Sequence, residues 1–285
     1  MKVNILKSVV AGLLATTALV GVAQAGSVTQ PGETVGQALG APLPEGVYFV
    51  NTGSIGRRSG AEMGVNIPVL AWSTPWTVGG GRVALLGAAP ELYVGSHSGS
   101  SFSSGMYNPF LAGMISWDLG GGFGVSYLAG AYFGINGGDF KSAFDQNTFR
   151  QDLHLSYSNN GWTASANLIY GIVGKNDTTG DRNPDYFNYD LALTNSFGKW
   201  EFGVVGFGST DLNKVSPRQS QFAAGGLVGY NFGPVIAQAY VTTDLSQTGY
   251  GGKETRSWLR LIVPLWNPPA TPAAAAVQRP AVRKG

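Results

Sequence analysis

The chain contains no cysteine and little charge. None of its 285 residues is Cys, and Asp, Glu, Lys and Arg together make up 12% of them. Without cysteine, disulfides are excluded as a source of stability. The charged fraction is about half of that in typical soluble domains. The composition therefore argues against an exported soluble domain and favours a protein with much of its surface in lipid.

Long hydrophobic runs are also missing after residue 25. No later segment approaches 18 consecutive apolar residues, so we expect no transmembrane helices. Residues 1–25 combine a basic head, a short apolar run and the small-residue site Ala23-Gln24-Ala25. This arrangement predicts a signal peptide that is cleaved after Ala25. No cysteine lies near the cut, so a lipid anchor is not expected.

The apparent basic excess comes from the two ends of the chain. The net charge is +2, but two basic residues lie in the signal peptide and three in the tail. Residues 26–266 hold 13 Lys and Arg against 16 Asp and Glu, a net charge of −3. This balance argues against nucleic acid as a partner. Residues 267–285 are rich in Pro and Ala and basic, which predicts a disordered periplasmic tail.

The clearest pattern is a period of two between Thr148 and Trp200. There, Asp152 and His154 alternate with Leu153 and Leu155, and the pattern repeats in two further segments. A period of two indicates strands with one apolar and one polar face. These strands have about ten residues, the length that a tilted transmembrane strand needs.

We therefore predict a single transmembrane antiparallel β-barrel of about 12 strands, of the Gram-negative outer-membrane type, over residues 45–266. The predicted strands are 45–57, 64–74, 81–94, 106–118, 123–135, 148–158, 162–173, 185–197, 200–210, 219–232, 235–244 and 254–266. Short and long connections alternate, which predicts periplasmic turns, outer loops and periplasmic chain ends. Residues 26–44 are either a periplasmic lead-in or a plug inside the barrel.

Four prolines fall inside the predicted strands: Pro68, Pro90, Pro109 and Pro264. Proline removes a donor from the ladder, so we expect a bulge or kink at each one. The alternation of faces also slips between Ala89 and Glu91, which predicts a bulge at Pro90.

Tryptophan marks one rim of the predicted barrel. Six of the seven tryptophans lie in or beside the short turns or at the end of the last strand: Trp72, Trp76, Trp117, Trp162, Trp200 and Trp266. Tryptophan favours the interface between lipid and water. The pattern predicts a periplasmic girdle, with outer-membrane lipid and lipopolysaccharide as partners of the barrel.

The inward faces predict a polar lumen with charges of both signs. The candidate lumen or constriction residues are Arg82, Arg150, Asp152, His154, Asp190, Glu201, Gln238, Asp244, Arg256 and Arg260. Opposed charges of this kind can line a constriction. They can also pair across the lumen and brace the barrel, and the two roles are compatible.

Catalytic and metal motifs are weak. The two histidines are His97, in a Gly/Ser loop, and His154, which shares a face with Asp152 at a spacing too long for a simple dyad. The polar loop 176–185 lacks the closing Glu of an EF-hand. We therefore predict no enzymatic activity, no metal and no cofactor.

Several short motifs resemble a known family, in the same order along the chain. They are Pro42 to Asn51, Thr74-Pro75-Trp76, Gly161-Trp162, Tyr230-Asn231-Phe232-Gly233 and Trp258 to Pro264. Together they resemble the "MetA-pathway of phenol degradation" family of outer-membrane transporters over about residues 42–266. The resemblance implies a barrel channel for uptake of hydrophobic or aromatic compounds.

The end of the chain departs from that family. The family usually stops at an aromatic residue after the Val-Pro pair, whereas here Leu265 and Trp266 follow and a tail continues. The departure concerns recognition of the last strand by the barrel-insertion machinery, which is a predicted partner.

The sequence thus favours an outer-membrane channel for passive or facilitated uptake of small molecules. A structural or adhesive barrel without an open pore is the alternative, and a lipid-active enzyme is the third.

Overall fold

The computed structural model describes residues 27–96, 101–212 and 218–268. The predicted signal peptide, His97 and residues 269–285 of the predicted tail lie outside these ranges. The described chain forms a closed antiparallel β-barrel. Its strands are β1 (Gly46–Arg58), β2 (Ala61–Val78), β3 (Gly81–Ala88), β4 (Glu91–Ser96), β5 (Phe102–Met106), β6 (Phe110–Gly120), β7 (Phe123–Tyr132), β8 (Thr148–Asn159), β9 (Trp162–Val173), β10 (Tyr186–Phe197), β11 (Trp200–Asp211), β12 (Ser220–Asn231), β13 (Ile236–Thr248) and β14 (Thr255–Trp266).

Apart from β3 with β4 and β5 with β6, each strand pairs with the next one in the chain, and β1 pairs with both β14 and β2, which closes the barrel. β3 and β4 both pair with β2 and form one interrupted strand. β5 and β6 form a second one, since β5 pairs with β4 and β6 with β3. Counted in this way, the 14 segments make 12 transmembrane strands, which confirms the predicted fold.

The alternation of side chains matches the predicted faces. On β8, Arg150, Asp152 and His154 are buried, whereas Leu153 and Leu155 are 42% and 43% exposed. On this strand, polar groups point inward and apolar groups outward, the inverse of a soluble protein. This is the arrangement of a barrel whose outer surface contacts lipid.

The prolines interrupt two strands, but the slip is not at Pro90. The pairs Val69↔Ala88 and Asn66↔Glu91 keep one register, so no residue is inserted there, and that prediction is wrong. Proline 90 only removes an N–H, and its carbonyl still accepts the Tyr107 N–H at 3.0 Å. The ladder is lost locally while the faces continue.

The insertion lies instead at residues 107–109, which contain Pro109. Ala88 pairs with Phe110 and Glu91 with Met106, so residues 107–109 stand opposite only two residues, 89 and 90. The inward positions change from even numbers in β6 to odd numbers in β5. This is a β-bulge, which re-aims the side chains around it.

The other two predicted irregularities differ from each other. The β1–β14 register slips beside Pro264, as predicted. Pro68 stands opposite Asn51 in an unbroken β1–β2 register, so no bulge lies there, although the β2 pairing with β3 and β4 is interrupted at residues 67 and 68.

One predicted outer loop is also wrong. The connection expected at 58–63 is the two-residue turn Ser59-Gly60, since β1 and β2 stay paired as far as Arg58 and Ala61. Both turn residues have positive φ, 45° and 83°, as a type I′ hairpin turn requires.

Residues 27–44 lie inside the barrel, and we call them the inner segment. They form successive tight turns, with Val35 N–H bonded to the Gly32 carbonyl and Gln37 N–H to the Thr34 carbonyl. The fit against the wall is close at Gly40, where an added Cβ would lie 2.5 Å from the Gly124 carbonyl oxygen. Only glycine fits at that contact.

Helical structure in the described ranges is limited to one turn, α1 (Lys141–Phe144), in the connection after β7. No helix of the described residues is long and apolar enough to cross a membrane.

The outward face predicts a position-dependent cost of charge. Leu191, outward near the middle of β10, should destabilise the barrel by about 2–4 kcal/mol when replaced by Arg. The Phe197→Arg control, at the end of the same face, should cost about 0–1 kcal/mol. Unfolding free energies in lipid vesicles measure both, and equal costs would contradict the assigned membrane depth.

Candidate functional site

Asp190, on β10, holds the main chain of the inner segment. Its carboxylate accepts the N–H groups of Gly32 and Thr34, both at 2.9 Å, and the Thr34 hydroxyl at 2.6 Å. Asp190 has no exposed surface. Three donors satisfy its buried charge, so this predicted lumen residue serves as an anchor.

Arg260, on β14, is a second buried anchor. It donates to the main-chain carbonyls of Glu33, at 2.6 Å, and Val35. Its other donors reach Thr52 Oγ1, Gln238 Oε1 and Tyr240 OH, each at 3.0 Å. Arginine has five N–H donors, and neutral acceptors satisfy all five here.

Arg150, on β8, links the wall to a side chain of the segment. It contacts Asp152 on its own strand at 2.8 Å and Glu33 of the segment at 2.6 Å. It also donates to Tyr132 OH at 2.9 Å. Burial raises the pKa of the Glu33 carboxyl above its ordinary value, and neighbouring Arg150 opposes that shift.

His154 is linked to the same segment through Asn167. It is fully buried, and its Nδ1 lies 3.1 Å from Asn167 Oδ1. Asn167 in turn donates to the Thr34 carbonyl at 3.0 Å. Within the described residues, His154 has no hydrogen bond to a serine hydroxyl. Its Nε2 lies 3.6 Å from Asp152 Oδ2.

The loop side of the lumen has its own charge cluster. Arg58 lies 3.2 Å from both Asp244 and Glu254, and Arg256 lies 2.6 Å from Glu254. The Tyr250 ring lies 4.4 Å from the Arg58 guanidinium carbon. Burial raises the pKa of Tyr250 to about 12, so its hydroxyl stays protonated at neutral pH.

The predicted opposed charges therefore meet in a different way from direct pairing across the lumen. Asp190 and Arg260 both contact the inner segment. Glu201 accepts a hydrogen bond from Gln238 at 2.9 Å. Arg82 donates to the Thr74 carbonyl at 2.9 Å, near the turn-side rim.

The tryptophans divide between the outer face and the lumen. Four of the six girdle candidates are at least 50% exposed: Trp76, Trp162, Trp200 and Trp266. Trp72 and Trp117 are half-buried, on outward positions of β2 and β6. Trp258 points inward and stacks on Tyr240 at 5.1 Å between ring centroids.

The polar loop 176–185 uses its side chains internally. Asn176 Oδ1 accepts the N–H groups of Thr178 and Thr179, and Asp185 accepts that of Val173. Within residues 27–96, 101–212 and 218–268, no group of three His, Asp or Glu side chains could hold a metal ion.

The half of the lumen beside β1–β3, β6 and β7 is largely apolar and contains a cavity of about 380 Å³, which we call the inner chamber. It lies between the inner segment and the wall built by β1–β3, β6 and β7. Its apolar wall includes Val50, Ile67, Val69, Ala71, Ala84, Leu86, Met114 and Leu128. Glu33, Arg150, Asp152 and His154 line its polar side.

These apolar residues are not among the lumen residues predicted from the sequence, which are charged or polar. The available signal was a strand with two apolar faces. On β2, Ile67, Val69 and Ala71 point inward, and the outward-pointing Leu70 and Trp72 that alternate with them are also apolar. A transmembrane strand that is apolar on both faces indicates an apolar lumen wall.

A second cavity of about 260 Å³, the outer chamber, lies on the loop side. Val65, Leu92 and Val94 line one part of it, and Arg58 and Glu254 line another. The two chambers follow one another along β2, with the inner segment beside both.

Comparisons with known proteins agree with this architecture. The model of the family described as "Putative MetA-pathway of phenol degradation" matches residues 44–261. A crystal structure of the COG4313 outer membrane channel from Pseudomonas putida F1 is similar, with a TM-score of 0.63 and 12% identity over 80% of this chain and 98% of that one. The NanC porin has a TM-score of 0.50 and 12% identity over 76% of this chain and 100% of its own. A comparison with curated protein sequences found no match. At these identities, the structural likeness shows the fold alone.

The Asp190 contacts predict how firmly the segment is held. An Asp190→Ala variant leaves the buried N–H groups of Gly32 and Thr34 without their acceptor, a loss of about 1–3 kcal/mol. Hydrogen exchange at those two amides should become about 5- to 150-fold faster. The rim variant Asp118→Asn is the control and should leave both amides unchanged. Equal protection in the two variants would show that Asp190 does not hold the segment.

Proposed function

Because this chain belongs to the MetA-pathway of phenol degradation family, we propose that it is an outer-membrane channel for small hydrophobic or aromatic compounds. The proposal covers passive or facilitated uptake and involves no covalent chemistry. The COG4313 relative is an outer membrane channel by name, and NanC is a porin. Both likenesses are consistent with passage through the barrel of this chain.

The inner chamber carries the argument for the class of compound. Its wall on β1–β3, β6 and β7 presents aliphatic side chains, which offer no hydrogen bonds to a polar solute. An apolar cavity of about 150 Å³ holds one benzene, so the 380 Å³ of this chamber accommodates one or two aromatic rings. Arg150 and Tyr132 also line it, on its polar side.

The position of the inner segment defines the route. The segment bonds to Asp190, Asn167 and Arg260, which lie on β10, β9 and β14. The chambers lie on the other side of the segment, against the apolar strands. We therefore place the route along the apolar wall, with the segment still anchored while compounds pass.

The proposed orientation places the short turns and both chain ends in the periplasm. The exposed tryptophans then lie at the periplasmic interface, where indole rings are favoured. The long connections face outward, where lipopolysaccharide is the proposed lipid partner. The barrel-insertion machinery is the proposed partner during assembly.

A structural barrel without an open pore is the second candidate, and the anchored segment favours it. The segment fills the polar half of the lumen through many short hydrogen bonds. The two candidates differ in one measurable property, since only the channel accelerates entry of aromatic compounds.

Filling the inner chamber should slow uptake. Leu86 points into the chamber, and its neighbour Leu85 points to lipid and is 41% exposed. In vesicles that contain the barrel, Leu86→Trp should reduce the entry rate of phenol or toluene by about tenfold, because a packed cavity leaves no passage.

Leu85→Trp is the matched control, since it adds the same side chain to the outer face of the same strand. It should take up both compounds at the wild-type rate. Equal rates in the two variants would show that the route avoids the chamber. Wild-type entry no faster than into protein-free vesicles would favour the structural barrel.

A further inference from the structure

The two chambers meet at one level of the barrel. On β2, Val65 lines the outer chamber and the next inward residue, Ile67, lines the inner one. On the neighbouring interrupted strand the change occurs between Leu92 and Pro90. Val65 pairs with Leu92, so the two changes lie side by side. The inner segment changes chamber at the same level, between Pro31 and Glu33.

Tyr107 stands at this boundary. Among the described residues it is the one that lines both chambers. Its side chain is buried, with 4% of the residue exposed. A solute that moves between the chambers along the apolar wall therefore passes the Tyr107 ring.

The backbone around Tyr107 suits a movable ring. Tyr107 belongs to the bulge between β5 and β6, outside both ladders. Its N–H is bonded to the Pro90 carbonyl, which fixes the main chain without restricting the side chain. The Tyr107 ring rotates about side-chain bonds, so its rotation breaks neither the bond from the Tyr107 N–H to the Pro90 carbonyl nor the bond from the Phe133 N–H to the Pro109 carbonyl.

The Tyr107 ring packs against the ring of Phe144. The Tyr107 and Phe144 ring centroids are 5.1 Å apart. Phe144 belongs to α1, and Asn108 Nδ2 donates to the Phe144 carbonyl at 2.9 Å and to the Gln146 carbonyl at 2.8 Å. Asn108 thus ties the main chain of α1 to the bulge, which keeps Phe144 beside Tyr107.

We propose that Tyr107 is the gate between the two chambers and sets the width of the compounds that pass. The inference rests on the proposed function, because it identifies the selecting residue on that route. A planar ring passes a rotated Tyr107 side chain edge-on, whereas a bulky branched hydrocarbon does not. The gate therefore favours flat aromatic compounds.

Single-channel conductance in planar bilayers tests the gate with ions as the probe. Removing the ring in Tyr107→Ala should raise conductance at least about twofold, since an apolar constriction limits flow by excluding water. Tyr107→Trp should lower it, and Tyr107→Phe should match the wild type. Tyr127→Ala is the control, because Tyr127 faces outward and is 43% exposed. Heat-dependent gel mobility checks that each variant forms the barrel.

Conductance that is the same in folded Tyr107→Ala, Tyr107→Trp and wild-type barrels would overturn the gate. The uptake assay separates this result from failure of the proposed function. If conductance follows residue 107 and the wild type does not accelerate aromatic entry, the substrate class is wrong and the gate stands. If the wild type admits aromatics and Tyr107→Ala admits no bulkier compounds, the selecting role is wrong.

Discussion

The structure depends on one requirement: the main-chain N–H and C=O groups of the irregular segment inside the barrel need hydrogen-bond partners. Buried N–H and C=O groups require partners, and in a lipid-embedded protein the partners must come from the protein itself or from lumenal water. Asp190 accepts from two N–H groups of the inner segment, and Arg260 donates to two of its carbonyls. The charged residues of the lumen are therefore needed where the segment lies.

This constraint divides the lumen into two halves. Residues 32–35 of the segment bond to β9, β10 and β14, and the wall from β1 to β3 beside the inner chamber is largely aliphatic. At the end of the segment, Ser73 and Tyr48 donate to the Leu43 and Pro44 carbonyls. Twelve strands enclose more space than the eight of a barrel filled by its own side chains. The segment fills part of that space, and the two chambers occupy the rest. The passage is consequently narrow and lies along one wall.

The strands were predictable because their alternating pattern is local. The site was difficult to predict because it depends on contacts between residues far apart in the chain. β8 to β10 begin and end within one residue of prediction, because their period of two is unbroken. The slip in alternation at Ala89 to Glu91 predicted a bulge at Pro90, whereas the bulge lies in the facing strand at residues 107–109 and Pro90 only removes a donor. The partners of Asp190 and Arg260 in the inner segment lie more than 150 residues away in the chain, and no periodicity encodes them. The wall of the inner chamber was not predicted because it is aliphatic, whereas the predicted lumen residues are charged or polar.

The central claim is that compounds pass an inner segment that stays anchored. A disulfide between Thr34→Cys and Asp190→Cys tests it directly. Thr34 Oγ1 and Asp190 Oδ2 are 2.6 Å apart, and the natural chain has no cysteine. Uptake of a small aromatic compound is measured with the bond formed and after reduction. The account predicts uptake at the wild-type rate with the segment locked to the wall. Uptake that stops on oxidation and returns on reduction would contradict it, and would show that the segment must leave for the channel to open.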